Sequence, residues 1–279
     1  MGLAIFLYES TFLLYSDIAQ TSILKISIIL IIFVKNHRQL KNEMLFFYSK
    51  KKGIIMKSKY QLLFSKYKHL LLFLYCPAYC IWFAYLEKTV TTHFHVIHMK
   101  IDDYIPFLEI FIVPYLLWFL YVAITVLYVT FTDKQQFIKM CIFLYTGMTL
   151  FLIISTIYPN GHLLRPLTFE RNNIFIDLCR NLYETDTPTN LFPSIHVYNS
   201  LGAHLAIIHH PKLKKKKGLC IASAILTTSI VLSTVFLRQH SVFDVITAFI
   251  VAGVMYYLVY SRSFCKFSAK EKNKNEVVA

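Results

Sequence analysis

Two histidines stand at the ends of membrane-length apolar runs, and the residues around them suit a defined chemistry. His196 closes the stretch Asn190-Leu191-Phe192-Pro193-Ser194-Ile195-His196, and His240 lies within Ser233 to Asp244 together with Arg238. Ionisable side chains at a bilayer face are costly to keep there without a use. Imidazoles that exchange protons near neutral pH, beside an arginine and a carboxylate, suit work on a phosphate at a lipid headgroup. The spacing of His240 and Asp244 predicts that both share one helix face. The carboxylate then accepts from one ring nitrogen, fixes the tautomer, and leaves the other nitrogen as a nucleophile. A purely structural hydrogen bond is the plainer reading of the same spacing.

His196 supplies what such a nucleophile needs next, a general acid for the leaving oxygen and then a base for the acceptor. Pro193 and Ser194 suit a helix start with Ser194 as N-cap. Free amides at a helix N-terminus, with a serine hydroxyl, cradle a phosphate. Arg165 and Arg238 are fixed positive charges suited to the equatorial oxygens of a phosphoryl group in transfer. For Arg238 the alternative is simple anchoring at the interface.

These residues need elements to hold them. Hydrophobic residues make up 56% of the 279 positions, and the mean hydropathy is +0.52. Soluble domains carry roughly 45–50% apolar residues, so the excess points to an integral membrane protein. Seven glycines and eight prolines are few for a many-turned β-barrel. Long helices are expected instead. Five segments are long and apolar enough to span as helices: Leu70–Leu86, Leu108–Phe131, Phe137–Tyr158, Leu219–Leu237 and Val242–Tyr260. A sixth, Ile195–Ile208, is short and carries Asn199, Ser200 and His204, which suits a helix buried among the others. The fold class expected is therefore all-α, a polytopic transmembrane helical bundle with a six-helix catalytic core.

The net charge of +14 gathers beside the apolar segments. That distribution reads as positive-inside anchoring in a bilayer and argues against a nucleic-acid face. Lys57 to Lys68, Lys134 with Lys139, Lys212 to Lys217, and Arg262 to Lys274 occupy alternate loops, which are expected on the cytoplasmic side. The other loops, roughly Glu87–Phe107, Pro159–Phe192 and Arg238–Ser241, are then extracytoplasmic. Arg165, His196 and His240 all fall on that face.

Residues 1–55 hold one weak apolar stretch, Ile18–Val34, interrupted by Lys25. They are either an extra N-terminal helix or an extension upstream of a start at Met56. Residues 56–264 form the expected six-helix domain, and 265–279 a basic cytoplasmic tail. The six cysteines (Cys76, Cys80, Cys141, Cys179, Cys220, Cys265) show no disulfide framework and no zinc-ligand spacing. His93, His95 and His98 form an HxHxxH run, read as a wet interfacial loop in preference to a metal site. His204 reads as a packed polar residue, Trp82 and Trp118 as core or interface aromatics, and Asp102 as a residue that orders the outer loop.

Pro193-Ser194-x-His196, followed by Ser233-x6-His240-x3-Asp244, resembles the second and third signature motifs of the type 2 phosphatidic-acid phosphatase superfamily. Phe192 to Val197, Leu237 to Asp244, and Asp102-Asp103-Tyr104-Ile105-Pro106-Phe107 leading to Pro114-Tyr115 and Trp118 resemble its inositol-phosphorylceramide-synthase-like branch. The likeness spans about residues 70–260. It implies a phosphohistidine at His240, orientation by Asp244, protonation of the leaving group by His196 and phosphate binding by Ser194, with no metal and no cofactor. Three positions depart from the family pattern. Tyr158 occupies the first-motif lysine seven residues before Arg165-Pro166, Thr234 follows the third-motif serine, and Ile195 stands where the second motif commonly has glycine. The expected activity is a membrane lipid phosphatase acting on a lipid or isoprenyl phosphate, with a lipid phosphotransferase and a non-catalytic transporter as alternatives.

Overall fold

The computed structural model of the chain describes residues 68–261. The stretch Ile18–Val34, the Met56 start and the tail 265–279 lie outside the described residues. The chain divides into two units between Ile81 and Trp82, and one helix runs across the boundary. That helix, α1 (Tyr75–Thr89), follows a 3-10 turn over Lys68–Leu74. Then come α2 (Ile112–Thr132), α3 (Lys134–Ile157), α4 (Ile174–Thr185), α5 (Ile195–His209), α6 (Lys217–Phe236) and α7 (Val242–Tyr260). The fold is all-α, as the composition and the lengths of the apolar segments predict. Among the described residues, five helical segments are long and apolar enough to cross a membrane, the first being α1 together with its 3-10 turn, and α5 is shorter than these.

α5 sits at the centre and packs against α2, α3, α6 and α7. Its sequence explains the placement. Asn199, Ser200, Gly202, Ala203 and Ala206 are all buried, and small residues let helix backbones approach closely where hydrophobic driving force is absent. The α3–α5 contact uses two glycines. A Cβ on Gly202 would meet the Phe143 ring at 2.9 Å, and one on Gly147 would fall inside the Tyr198 ring. Tyr198 in turn donates its hydroxyl to the Phe143 carbonyl at 2.7 Å.

One end of the bundle carries the basic turns. Asp133 caps α3 by accepting from Gln136 N–H at 2.9 Å. Thr132 Oγ1 lies 2.9 Å from His210 Nε2, which ties the α2–α3 turn to the α5–α6 turn. At the opposite end three connections interlock. β1 (His95–Val96) pairs in parallel with β2 (Asn160–Gly161), His95 opposite Asn160. Leu108 N–H donates to the Phe236 carbonyl at 3.1 Å. The connection after α3, expected as a bare loop, instead contains the amphipathic helix α4. Asn173 caps it by accepting from Phe175 and Ile176 N–H, both at 3.0 Å. Ile176, Cys179 and Leu182 bury its apolar face. Cys179 and Leu182 join Ile112, Tyr115 and Leu237 in one core cluster.

Candidate active site

The end of α6 aims the first histidine. Arg238 N–H donates to the Val235 carbonyl and Gln239 N–H to the Thr234 carbonyl, both at 2.9 Å. This 5→2 and 6→1 pattern is a Schellman C-cap. Its left-handed residue, usually glycine, is Arg238 at φ 50°. A side chain in that region costs about 1–2 kcal/mol. The guanidinium secures it, Nη2 donating to the Ile105 carbonyl at 2.8 Å and Nη1 to the Leu164 carbonyl at 3.4 Å. The reversal turns Gln239 and His240 back over the bundle end, two residues before α7 begins.

His240 and Asp244 meet, but not on one helix face as their spacing predicts. Ser241 is the N-cap of α7, so Asp244 is its third residue and His240 precedes the helix. The contact arises from a capping box. Ser241 Oγ accepts from Phe243 N–H at 3.2 Å, while Asp244 Oδ2 reaches back to accept from Ser241 N–H at 3.1 Å. The same oxygen lies 3.3 Å from His240 Nδ1. With Asp244 ionised, Nδ1 carries the proton and Nε2 keeps its lone pair. Burial, with the Arg165 guanidinium adding to it, lowers the His240 imidazole to about 3. The ring is neutral across the physiological range.

His196 comes from the second stretch. Asn190, at φ 55°, and a cis Phe192–Pro193 peptide lead into α5. Asn160 Oδ1 accepts from Leu191 N–H at 2.9 Å and Phe192 N–H at 3.0 Å. Ser194 caps α5, its Oγ accepting from Val197 N–H at 3.4 Å, as the sequence predicts. Ser194 N–H donates to the Asp244 carbonyl at 3.3 Å and so joins the two stretches directly. His196, second in α5, stands edge-on to His240 with ring centroids 5.7 Å apart. Its other sides meet Tyr115 at 4.5 Å and Trp118 at 4.3 Å. Trp118 is thus part of the site's wall, beyond the core or interface role its sequence context suggests.

The arginines are more heavily engaged than free phosphate ligands would be. Arg165 donates to the carbonyls of Tyr183 (3.2 Å), Asp186 (2.6 Å) and Thr187 (3.3 Å), and to Gln239 Oε1 at 2.7 Å. It also stacks over Tyr183 at 4.7 Å. Arg238 braces two loops as described. Three buried atoms at the site nevertheless lack a protein partner: Arg165 Nε, Gln239 Nε2 and Asp244 Oδ1.

Several organising residues escape the sequence reading. His162 is buried, with Nε2 2.8 Å from the Gln239 carbonyl and Nδ1 accepting from Leu164 N–H at 3.2 Å. Burial lowers its imidazole to about 4. Glu87 accepts from Thr187 Oγ1 at 2.6 Å and Asn190 Nδ2 at 3.1 Å, which steadies the approach to Pro193. Gln239 is fully buried beside the nucleophile candidate. None of these positions carries a spacing signal, because each acts on groups far away in sequence that only folding brings together. In the HxHxxH run, His95 stacks on Tyr158 with centroids 4.1 Å apart, and His98 Nε2 lies 2.8 Å from Asp103 Oδ1. Among the described residues, no three His, Cys, Asp or Glu side chains gather as a metal site. His204 is packed in the bundle as expected, its Nδ1 2.9 Å from Ser223 Oγ.

No curated protein and no solved structure matches the chain. A model of the PAP2 superfamily matches residues 173–267. That stretch runs from the α4 cap through both histidine motifs and the last helix. Over that stretch, which contains the Ser194–His196 and His240–Asp244 elements, the chain is similar to the PAP2 superfamily.

Proposed function

We propose that this protein is a membrane lipid phosphatase, cleaving a phosphate ester of a lipid or isoprenyl substrate through a phosphohistidine at His240. The similarity of residues 173–267 to the PAP2 superfamily supports a phosphatase- or phosphotransferase-type phosphoesterase. The observation that carries the finer reading is the facing pair of imidazoles, 5.7 Å apart, one of them held by a carboxylate. His240 Nε2 attacks phosphorus and a P–N bond forms as the P–O bond to the lipid breaks. The departing oxygen takes a proton from His196. Water, giving its proton to His196, then attacks the phosphohistidine, breaks the P–N bond and releases inorganic phosphate. Asp244 holds the Nδ1–H tautomer and stabilises the positive charge that ring develops.

Negative charge on the phosphoryl oxygens needs donors, and an unpaired buried donor costs about 1–3 kcal/mol. Arg165 Nε and Gln239 Nε2 are two such donors on adjoining residues, and a bound anion would satisfy both. Ser194, at the α5 N-terminus, would add a hydroxyl and the helix's positive end. In this reading Arg238 acts at the site mainly as a brace. The site opens to the extracytoplasmic face, on the strength of the alternating lysine clusters.

A phosphotransferase uses the same residues with a lipid or polyol hydroxyl in place of water. One observation favours it: the Asp102–Phe107 segment, which resembles the synthase-like branch, is bonded onto the histidine loop through Asp102 and Ile105. Purified protein incubated with labelled phosphatidic acid, phosphatidylglycerophosphate and isoprenyl diphosphate separates the outcomes. Free phosphate identifies the phosphatase and a new labelled lipid the transferase. Neither product above the level of His240→Ala, across the panel, would leave the non-catalytic reading standing.

A further inference from the structure

The connection between α1 and α2 crosses the bundle end, and its most deeply buried charge is Asp102. Only 4% of that residue is exposed. Its carboxylate accepts three hydrogen bonds. One comes from Met99 N–H at 2.8 Å, within its own loop. The other two come from the start of α7: Ser241 Oγ–H at 2.6 Å and Val242 N–H at 2.9 Å. Ser241 and Val242 lie between His240 and Asp244, so Asp102 grips the turn on which the nucleophile and its orienting carboxylate both depend.

Each bond fixes something specific. A short bond from a hydroxyl to a carboxylate is among the stronger hydrogen bonds. It commits the Ser241 hydrogen to Asp102 and leaves the Ser241 lone pairs for Phe243 N–H. The Val242 amide is one of the four N-terminal donors that a helix leaves unpaired, and a negative charge there is favoured by the helix dipole. Because Asp102 takes Ser241 Oγ–H and Val242 N–H, the Ser241 N–H is left to Asp244 Oδ2, the oxygen that also faces His240. Two buried carboxylates therefore divide the donors of one helix start between them. The loop around Asp102 is pinned on both sides, by His95–Val96 pairing with β2 and by Arg238 on the Ile105 carbonyl.

We infer that Asp102 is a positioning residue for the reaction: from a loop 139 positions away in sequence from Ser241, it sets the geometry of the His240–Asp244 pair. This rests on the phosphohistidine reading and deepens it. A small displacement of a reacting group lowers the rate by up to about a hundredfold. Removing this grip should therefore slow attack by His240 and leave substrate binding in place.

The test compares wild type, Asp102→Asn, Asp102→Ala, Ser241→Ala and the double variant Asp102→Ala/Ser241→Ala in detergent. The control is Asp103→Asn, an exposed residue whose partner His98 is also exposed. The rate of phosphoenzyme formation, kcat, KM and thermal midpoint are measured for each. The inference expects Asp102→Ala to lose about 10- to 100-fold in phosphoenzyme formation and kcat, with KM within threefold of wild type. Ser241→Ala should lose less, and the double variant should lose no more than Asp102→Ala alone, since the two residues act through one contact. Asp103→Asn should match wild type. If Asp102→Ala does not accumulate, Asp102→Asn and Ser241→Ala carry the same comparison. Wild-type rates in the Asp102 variants, or losses confined to KM or thermal midpoint, would overturn the positioning role. Absence of any phosphoenzyme in wild type would instead overturn the reading on which it rests.

Discussion

Replacing Asp244 by asparagine tests the tautomer logic at one atom. Asp244 is fully buried and its Oδ2 faces both Ser241 N–H and His240 Nδ1. Asparagine has the same shape but carries one acceptor and two donors. If its carbonyl oxygen keeps Ser241 N–H, it still offers the ring less than a charged acceptor. If its NH2 group turns toward the ring, it donates to Nδ1 and forces the proton onto Nε2, the nitrogen proposed to attack. Loss of a hydrogen bond to a charged group amounts to about 1.5–3 kcal/mol, or roughly 10- to 150-fold in rate. Adding the wrong tautomer extends the range, since the same change in a serine-protease triad lowers kcat by about 10⁴. The His240–Asp244 contact, at 3.3 Å, is longer than the strongest charge-assisted bonds. The expected loss is therefore about 10²- to 10⁴-fold, read as the single-turnover rate of phosphoenzyme formation. Stability should change by less than about 1 kcal/mol, because the carboxylate already leaves Oδ1 unpaired. An Asp244→Asn enzyme within threefold of wild type would refute the reasoning.

Other perturbations reach different parts of the account. His162 is held near 4 in the fold against about 6.5 in an unfolded chain. A depressed histidine contributes stability that is present above about pH 6.5 and is lost as pH falls toward 4, here about 3 kcal/mol in all. His162→Asn should flatten the fall in thermal midpoint over that window, and an unchanged slope would count against the assignment. Gln239→Leu removes one of the two unpaired donors proposed for the phosphoryl oxygens and should lower kcat/KM by about 10- to 100-fold; an undiminished value would remove Gln239 from the site. Gly147→Ala sets a methyl group inside the Tyr198 ring, which stacks on Phe143 and is hydrogen-bonded to it, so the thermal midpoint should drop by the equivalent of about 1–3 kcal/mol. Leu167, fully exposed in the α3–α4 connection, should as cysteine react with a membrane-impermeant thiol reagent added outside intact cells lacking the native cysteines. Labelling only after permeabilisation would reverse the proposed orientation.

The six core helices are legible in the sequence because hydropathy and length are local properties, and even α5 is found from a short run carrying buried polar residues. The expected starts and ends differ by a few residues, as at α2, where a 3-10 turn over Glu109–Phe111 precedes the helix proper. α4 is missed because its twelve residues are amphipathic and too short to resemble a span. At the site, His196, His240 and Asp244 are legible from residue type and spacing, yet the reason for the His240–Asp244 contact is not. Spacing suggests one helix face, whereas a capping box supplies the contact. Arg165 and Arg238 are legible as cations near the site, but their commitment to carbonyls depends on loops that only the fold brings within reach. Asp102 is legible as a residue that orders the outer loop, but its partners, like those of Asn160, His162 and Gln239, lie far away in sequence, and a single sequence carries no pattern for such contacts.

The central claim is that phosphate passes through His240. Rapid quenching at alkaline pH of protein incubated with a phosphate-labelled lipid substrate, followed by peptide mapping, tests it directly. The account predicts acid-labile, base-stable label on the peptide containing His240, no label in His240→Ala, and label that persists longer in His196→Ala because water is then activated poorly. Label on another residue, or equal labelling of His240→Ala and wild type, would contradict it.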